Sequence, residues 1–407
     1  MKTNICHQAV LLALLMVMPC LAWAQKKELS QARTYLKSGK DFDKAEKLMT
    51  DLLQRDSASR MNKKVLATWY EAVMEQYKVA NEKLYLNKSN SSTADTVAMY
   101  TLTHRLYTVA EKLDSVDMLP DEKGRVKPEY RKSHAQQLDV LRPNIFGGGS
   151  YNVRKHDYPT AYRFFETYID AAHQPLFTGY DYQQRDSLIS QAAYWATYSA
   201  FRMKDAERTL RYADMAPHGR VYGPRTLQYV CEAYLLQHDE RSYVATLREG
   251  FQRYPRYYYF FPRLGDYYNA HQQLDSALVI ADRALLVDST STLFLLARSV
   301  ALLNLERYDE CVKTSEQLIA RCDTMPEPYF NIATAYLNQA LELEKLNEPR
   351  RYRQQLVDLY QKARPFMETY RRLQPADRKR WAPALYRVYL NLNMGRQFEE
   401  IDRLMRE

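Results

Sequence analysis

Residues 258–291, YYFFPRLGDYYNAHQQLDSALVIADRALLVDSTS, run directly into residues 292–325, TLFLLARSVALLNLERYDECVKTSEQLIARCDTM, and the two segments of 34 residues read as rows of one alignment. A further row starts at Pro224 and another at Pro326, so four starts stand 34 apart. The eighth column holds Cys231, Gly265, Ser299 and Ala333, small in every row. The fourth column holds Leu227, Phe261, Leu295 and Tyr329, and the eleventh Tyr234, Tyr268, Leu302 and Tyr336. Columns four, eight and eleven lie on one face of a helix, so each row opens with a helix whose buried face carries a small residue between large ones. A second helix follows, with Tyr243, Ala277 and Cys311 at column twenty, Leu247, Ala281 and Ser315 at twenty-four, and Gly250, Ala284 and Leu318 at twenty-seven. Pro255, Ser289 and Asp323 close the rows with residues suited to helix ends. Small residues at eight, and mostly at twenty, let two helices approach; the large ones fill the gaps between neighbours.

A period of 34 with this column pattern resembles the tetratricopeptide repeat, a helix-turn-helix unit. The resemblance implies an all-α fold: a right-handed superhelical solenoid of antiparallel helix pairs, whose first helices line a concave groove. It also implies that columns two, five, nine, twelve and thirteen face that groove. In this chain those columns include Arg225, Gln228 and Glu232, then Tyr259, Asp266 and Asn269, then Val300 and Asn304, then Phe330, Thr334 and Asn338. The set is mixed polar and aromatic, and it departs from the Lys and Asn clamp with which some relatives hold a C-terminal carboxylate. The competing reading is that these side chains face water only.

The pattern extends in both directions. After Tyr336 the second helix is delayed: Asn338 to Arg353 reads as a lengthened first helix and a charged connection, and Ala363, Met367, Tyr370 and Pro375 restore the spacing of the columns, which implies about eighteen inserted residues around 338–355. A capping pair follows, with Leu385, Tyr389, Phe398 and Met405 at helical spacing. Upstream, Thr197 stands 34 before Cys231, and Ala206, Leu210 and Ala213 supply a second helix. Gly148 and Gly149 with Ala161, Phe165 and Tyr168 form another unit, and Ala32, Tyr35, Gly39, Phe42, Ala45, Met49 and Leu52 one more. Residues 60–141 are helical in pattern but off period, with loops expected from Asn87 to Ala94 and from Leu119 to Pro128. The organisation expected is therefore an N-terminal region of degenerate units over 25–174 and a more regular array over 175–407. The block from Arg142 through Gly149 to Ile169 resembles secreted tetratricopeptide proteins of the Bacteroides type.

Ahead of all this, Lys2, an apolar run from Ala9 to Met18, and Ala22-Trp23-Ala24 match a signal peptide cleaved before Gln25. Cys20 lacks the small preceding residue that lipidation requires. No later stretch is long and apolar enough to span a bilayer, so a periplasmic or secreted protein is expected. With 34 tyrosines and only 11 glycines in 407 residues, the composition suits helices packed through large rings better than a chain of tight turns. Cleavage leaves Cys231, Cys311 and Cys322, an odd count without a disulfide framework; Cys311 and Cys322 read as packing residues of one helix. The net charge falls from +9 to +8 with Lys2 removed, and from Glu344 onward fifteen Lys and Arg face nine Asp and Glu. That basic third reads either as a solvated face or as a peripheral contact to the envelope.

Enzyme signatures are missing. Gly147-Gly148-Gly149-Ser150 and Gly39-Lys40 lack the remainder of a phosphate-binding loop, so helix crossing accounts for both better. His104, His134, His156, His173, His218, His238 and His271 show no metal-ligand spacing and read as isolated surface groups. The carboxylate pairs Glu399-Glu400 and Glu342-Glu344 read as solvated. No catalytic residue, metal, cofactor or nucleic acid is expected. Two functions stay open: a non-enzymatic adaptor that holds a peptide or protein segment in its groove, and a glycan- or small-ligand-binding sensor that uses tyrosines, with Tyr257 to Phe261 as its cluster.

Overall fold

The computed structural model describes residues 25–86, 93–346 and 348–406, and among these every regular element is a helix. The expected signal peptide, residues 1–24, lies outside the described residues, as do residues 87–92 of the first expected loop; Thr93 and Ala94 already belong to a helix. The contacts divide the chain into two compact units, one ending at Asp239 and one beginning at Glu240. This boundary falls inside the row that starts at Pro224, whereas the expected division at 174 and 175 rested on regularity of period.

The first unit contains α1 (25–37), α2 (Phe42–Arg55), α3 (Lys63–Leu86), α4 (Thr93–Asp117), α5 (Arg131–Arg154), α6 (Tyr158–Asp170), the short α7 (Tyr182–Arg185), α8 (Ile189–Arg202), α9 (Ala206–Arg211) and α10 (Gly223–Leu236). Its irregular period has a plain cause: α3 and α4 run to 24 and 25 residues, about twice a helix of the repeat. They are tied to α2 by Glu46, whose buried carboxylate accepts from Trp69 Nε1, Gln76 Nε2 and Arg105 Nη1. A buried carboxylate is tolerable only with such donors around it. The second expected loop, Leu119 to Pro128, lies within the non-helical residues 118–130; Asp117 holds the far end by accepting from the backbone N–H groups of Glu129 and Tyr130. At the α5–α6 crossing Gly148 and Gly149 leave room for the rings of Phe164 and Phe165, the latter standing 2.7 Å from where a Gly149 Cβ would be. The glycines thus serve helix crossing. Gly39 does not: its φ of 66° makes it a turn residue between α1 and α2.

The second unit contains α11 (Glu240–Arg253), α12 (Phe260–Ala270), α13 (Leu274–Val287), α14 (Thr292–Asn304), α15 (Tyr308–Ile319), α16 (Glu327–Lys345), α17 (Pro349–Leu373), α18 (Arg378–Asn391) and α19 (Gly395–Arg406), each packed on the next. The columns appear as the core: Phe261, Leu295, Tyr268, Leu302, Ser299, Ala333, Cys311, Leu247, Ala281, Ser315, Ala284 and Leu318 are all buried. Cys322 falls beyond the end of α15 and is half-buried, so it does not share a helix with Cys311. In the capping pair Ile401 fills the core position, while Met405 is exposed.

The insertion preserves helical phase on both of its arms. Relative to α14, which ends at column thirteen, α16 ends at column twenty, seven residues later; α17 starts eleven residues before Tyr360, the counterpart of Tyr308 at the start of α15. Seven and eleven residues are close to two and three turns at 3.6 residues per turn. Ala363, Met367 and Tyr370 consequently return to the buried face. The expected charged connection reduces to three residues, 346–348, between two lengthened helices.

One device recurs that no column of the sequence announced. Lys204, His238, Gln272 and Glu306, spaced 34 apart, are all left-handed, with φ of 58°, 57°, 55° and 61°. In each case the next N–H donates to the carbonyl five residues earlier, Asp205 to Ala200, Asp239 to Tyr234, Gln273 to Tyr268 and Arg307 to Leu302, at 2.8 to 3.1 Å. This is the Schellman closure of a helix C-terminus, in which the left-handed position normally favours glycine. His156 and Asn393 do the same after α5 and α18.

Candidate functional site

Within the second unit, α12 and α14 meet through the rings of Phe261 and Phe294, with centroids 4.7 Å apart and nearly perpendicular planes. Along the same faces lies a hollow of about 220 Å³, lined by Phe261, Pro262, Gly265, Asp266 and Asn269 of α12, Leu293, Leu296, Ala297 and Val300 of α14, and Ala277 and Ile280 of α13. Three residues picked from the groove columns, Asp266, Asn269 and Val300, are brought together here. The same columns applied to every row would also have found Pro262, Leu293 and Leu296. Gly265 belongs instead to the small packing column. Asp266 and Asn269 are exposed at the rim, and the remainder of the lining is apolar.

The other groove candidates are more dispersed. In the first unit Arg225 is exposed on α10, and Gln228 and Glu232 are half-buried. Asn304 is exposed at the end of α14, and Thr334 is half-buried on α16. Asn338 and Glu342 both reach the Tyr308 hydroxyl; burial and the Glu342 hydrogen bond push that phenol up to about 12. Phe330 is covered, with the Arg380 guanidinium 3.7 Å above its ring and Tyr370 packed beside it. Tyr259 is only 1% exposed, with Arg263 stacked 3.8 Å from its ring centre, whereas Tyr258 is 74% exposed. Tyr259 therefore does not face the groove as its column implies, because α12 begins at Phe260 and the first two columns of this row belong to a turn. Tyr257 and Tyr259 do not form an exposed stacking pair.

Charged and ring groups elsewhere are engaged in part. In the basic third, Arg351, Arg364, Arg371, Arg380, Arg387 and Arg406 pair with Glu348, Glu368, Glu400, Asp377, Glu344 and Asp402. Glu344, Glu342 and Glu400, read as solvated, are thus acceptors within the fold. Two histidines depart from the surface reading: His134 stacks on Tyr70 at 3.8 Å and His104 packs on Phe164 at 4.8 Å. Burial lowers His134 to about 4, so it is neutral at pH 7. Among the described residues no group of three or more His, Cys, Asp or Glu is arranged to hold a metal ion, and no helix is long and apolar enough to cross a membrane.

Two other hollows stand apart from the groove columns. A cleft of about 570 Å³ between α11, α12 and α13 includes Arg248, Phe251, Tyr268 and Arg283. In the first unit, Glu111, Met118, Arg131 and Gln174 border a hollow of about 360 Å³. There burial, and secondarily the Asp170 carboxylate, push Glu111 up to about 7.

No family model matches the sequence, and no curated protein aligns with it. Among solved structures, the chain is similar to the C-terminal part of a TPR repeat-containing protein from Cytophaga hutchinsonii, at 9% identity and a TM-score of 0.41, over 63% of this chain and 92% of that one. It is similar to yeast Tom70 at 12% identity and 0.33, over 90% and 89%, and to the apo form of RapI at 12% and 0.32, over 94% and 98%. These loose superpositions say nothing about the partner of this chain. The helix boundaries at a period of 34, the buried small column and the repeated Schellman closures describe the fold directly: the chain is an all-helical array of tetratricopeptide-like helix pairs.

Proposed function

We propose that the protein is a non-enzymatic adaptor, exported to the periplasm or beyond, that holds a segment of another protein against the first helices of its repeats. One observation carries the reading: columns two, five, nine and twelve of two successive first helices converge on a single apolar hollow with a polar rim. Such a lining suits side chains of an extended or helical segment, with the rim fixing its orientation. The glycan alternative loses its platform, because Tyr259 is in the core. A photo-crosslinking residue placed at Asn269, compared with one at the exposed Arg283 of α13, tests the reading in an envelope extract. A discrete adduct from position 269 and not from 283 is expected. Equal labelling from both, or none from 269, overturns it.

A further inference from the structure

Gly265 has no local reason to be glycine. It lies inside α12, where glycine costs about 1 kcal/mol relative to alanine, and its φ is not in the left-handed range. Nor does a neighbour press on it. A Cβ at Gly149 would stand within 3 Å of a phenylalanine ring, and one at Gly250 would overlap Phe260, but a Cβ at Gly265 meets nothing within 4 Å. Cys231, Ser299 and Ala333, its counterparts in the other rows, are fully buried. Gly265 alone of the column is half-buried, and the space that a side chain would take is part of the hollow between α12 and α14.

Asp266 is the next residue along the rim. It is exposed, and no cation or hydrogen-bond donor within the described residues engages its carboxylate. Asn269, one turn further, offers both a donor and an acceptor. The floor formed by Phe261, Leu296 and Val300 carries no charge.

Resting on the adaptor reading, we infer that the Gly265 hollow is an anchor pocket for one flexible apolar side chain of a bound protein segment, a Leu, Ile, Val or Met, followed within a turn by a Lys or Arg that pairs with Asp266. The apolar anchor supplies the burial. The basic neighbour supplies direction, since a carboxylate at the rim repels an acidic segment and attracts a basic one. Filling the pocket from within, by Gly265→Leu, raises the helix propensity of α12 while removing the anchor's place.

The test uses a displayed library of random peptides of about twelve residues, selected on the mature protein, on the Gly265→Leu variant and on the Asp266→Lys variant, with circular dichroism to verify that each is folded. The wild type is expected to enrich an apolar residue with a Lys or Arg close behind it. A synthetic peptide of that consensus is expected to bind at least about tenfold more weakly to each variant. Asp266→Lys, an exposed position that leaves the helix intact, is expected to shift the enriched charge to Asp or Glu. A consensus that survives both substitutions overturns the anchor pocket while leaving the groove reading in place. Failure of the wild type to enrich any sequence overturns both.

Discussion

A methyl group at Gly250 would overlap the Phe260 ring, and one at Gly265 would enter open space, so the same substitution has opposite signs at two helical glycines fifteen residues apart. Gly250→Ala is expected to destabilise the second unit by about 1–2 kcal/mol, the overpacking cost less the gain in helix propensity. Gly265→Ala is expected to stabilise it by up to about 1 kcal/mol. Chemical denaturation of both variants checks the pair, and equal effects would refute this account of the packing. Glu111 makes a second residue-scale prediction. Its folded value of about 7 lies above the ordinary carboxylate value of 4.5, so the stability linked to it is fully present below pH 4.5 and lost as pH rises through 7. Glu111→Gln should therefore raise the melting temperature at pH 8, by the equivalent of about 1–2 kcal/mol after allowance for partial exposure, and change it little at pH 4. At this scale the sequence exposes burial poorly. Column eight is readable as small, but nothing in the sequence separates a glycine under a ring from a glycine beside a hollow. Tyr258 and Tyr259 are interchangeable by residue type, and only the helix start at Phe260 decides which is buried.

Among the elements, the insertion between the arms of α16 and α17 makes the sharpest claim. If its eighteen residues are whole turns on two arms, deleting 339–345 together with 349–359 rejoins the helices with Ala363, Met367 and Tyr370 still on the buried face. That shortened chain is expected to keep its helicity and a cooperative melt, at some cost from the lost Ala340 and the contacts of Glu344. A deletion two residues shorter rotates one arm by about 200° and is expected to lose the melt. Circular dichroism of both chains separates the outcomes. The insertion was legible because the core columns resume after it, and its first arm was legible as a lengthened first helix; the second arm was not, because the residues up to Arg353 are charged enough to read as a connection. The hollow between α12 and α14 was half legible for the same reason. Periodicity gives which residues share a face, and the residues of two faces meet only when the helices pack.

At the scale of the whole molecule the tyrosines become a reporter. Tyr107, Tyr162, Tyr360 and Tyr370 are nearly or fully buried, and burial is the first cause that raises their phenols; Tyr162, Tyr360 and Tyr370 reach about 12. Tyr70, Tyr168, Tyr182, Tyr212, Tyr229 and Tyr389 are raised by burial as well. An alkaline titration followed by tyrosinate absorbance is expected to show one fraction ionising near pH 10 and a second appearing only with loss of helical signal. A single smooth step near pH 10 would contradict the buried network. The sign follows from the raised folded values: stability is complete below pH 10 and declines above it, as the unfolded chain alone gives up protons.

The left-handed residues that end the first helices bear on how the chain acquires its fold in time. Lys, His, Gln and Glu each resist that conformation by about 1–2 kcal/mol, so an isolated helix pair gains little from closing its own turn. The carbonyls that receive the closing hydrogen bonds belong in three rows to Tyr234, Tyr268 and Leu302, the large packing column. The turn is thus held by residues that need a neighbouring helix before they are buried. Pairs of this kind are expected to order against an established neighbour rather than alone, so that structure, once nucleated, propagates from pair to pair.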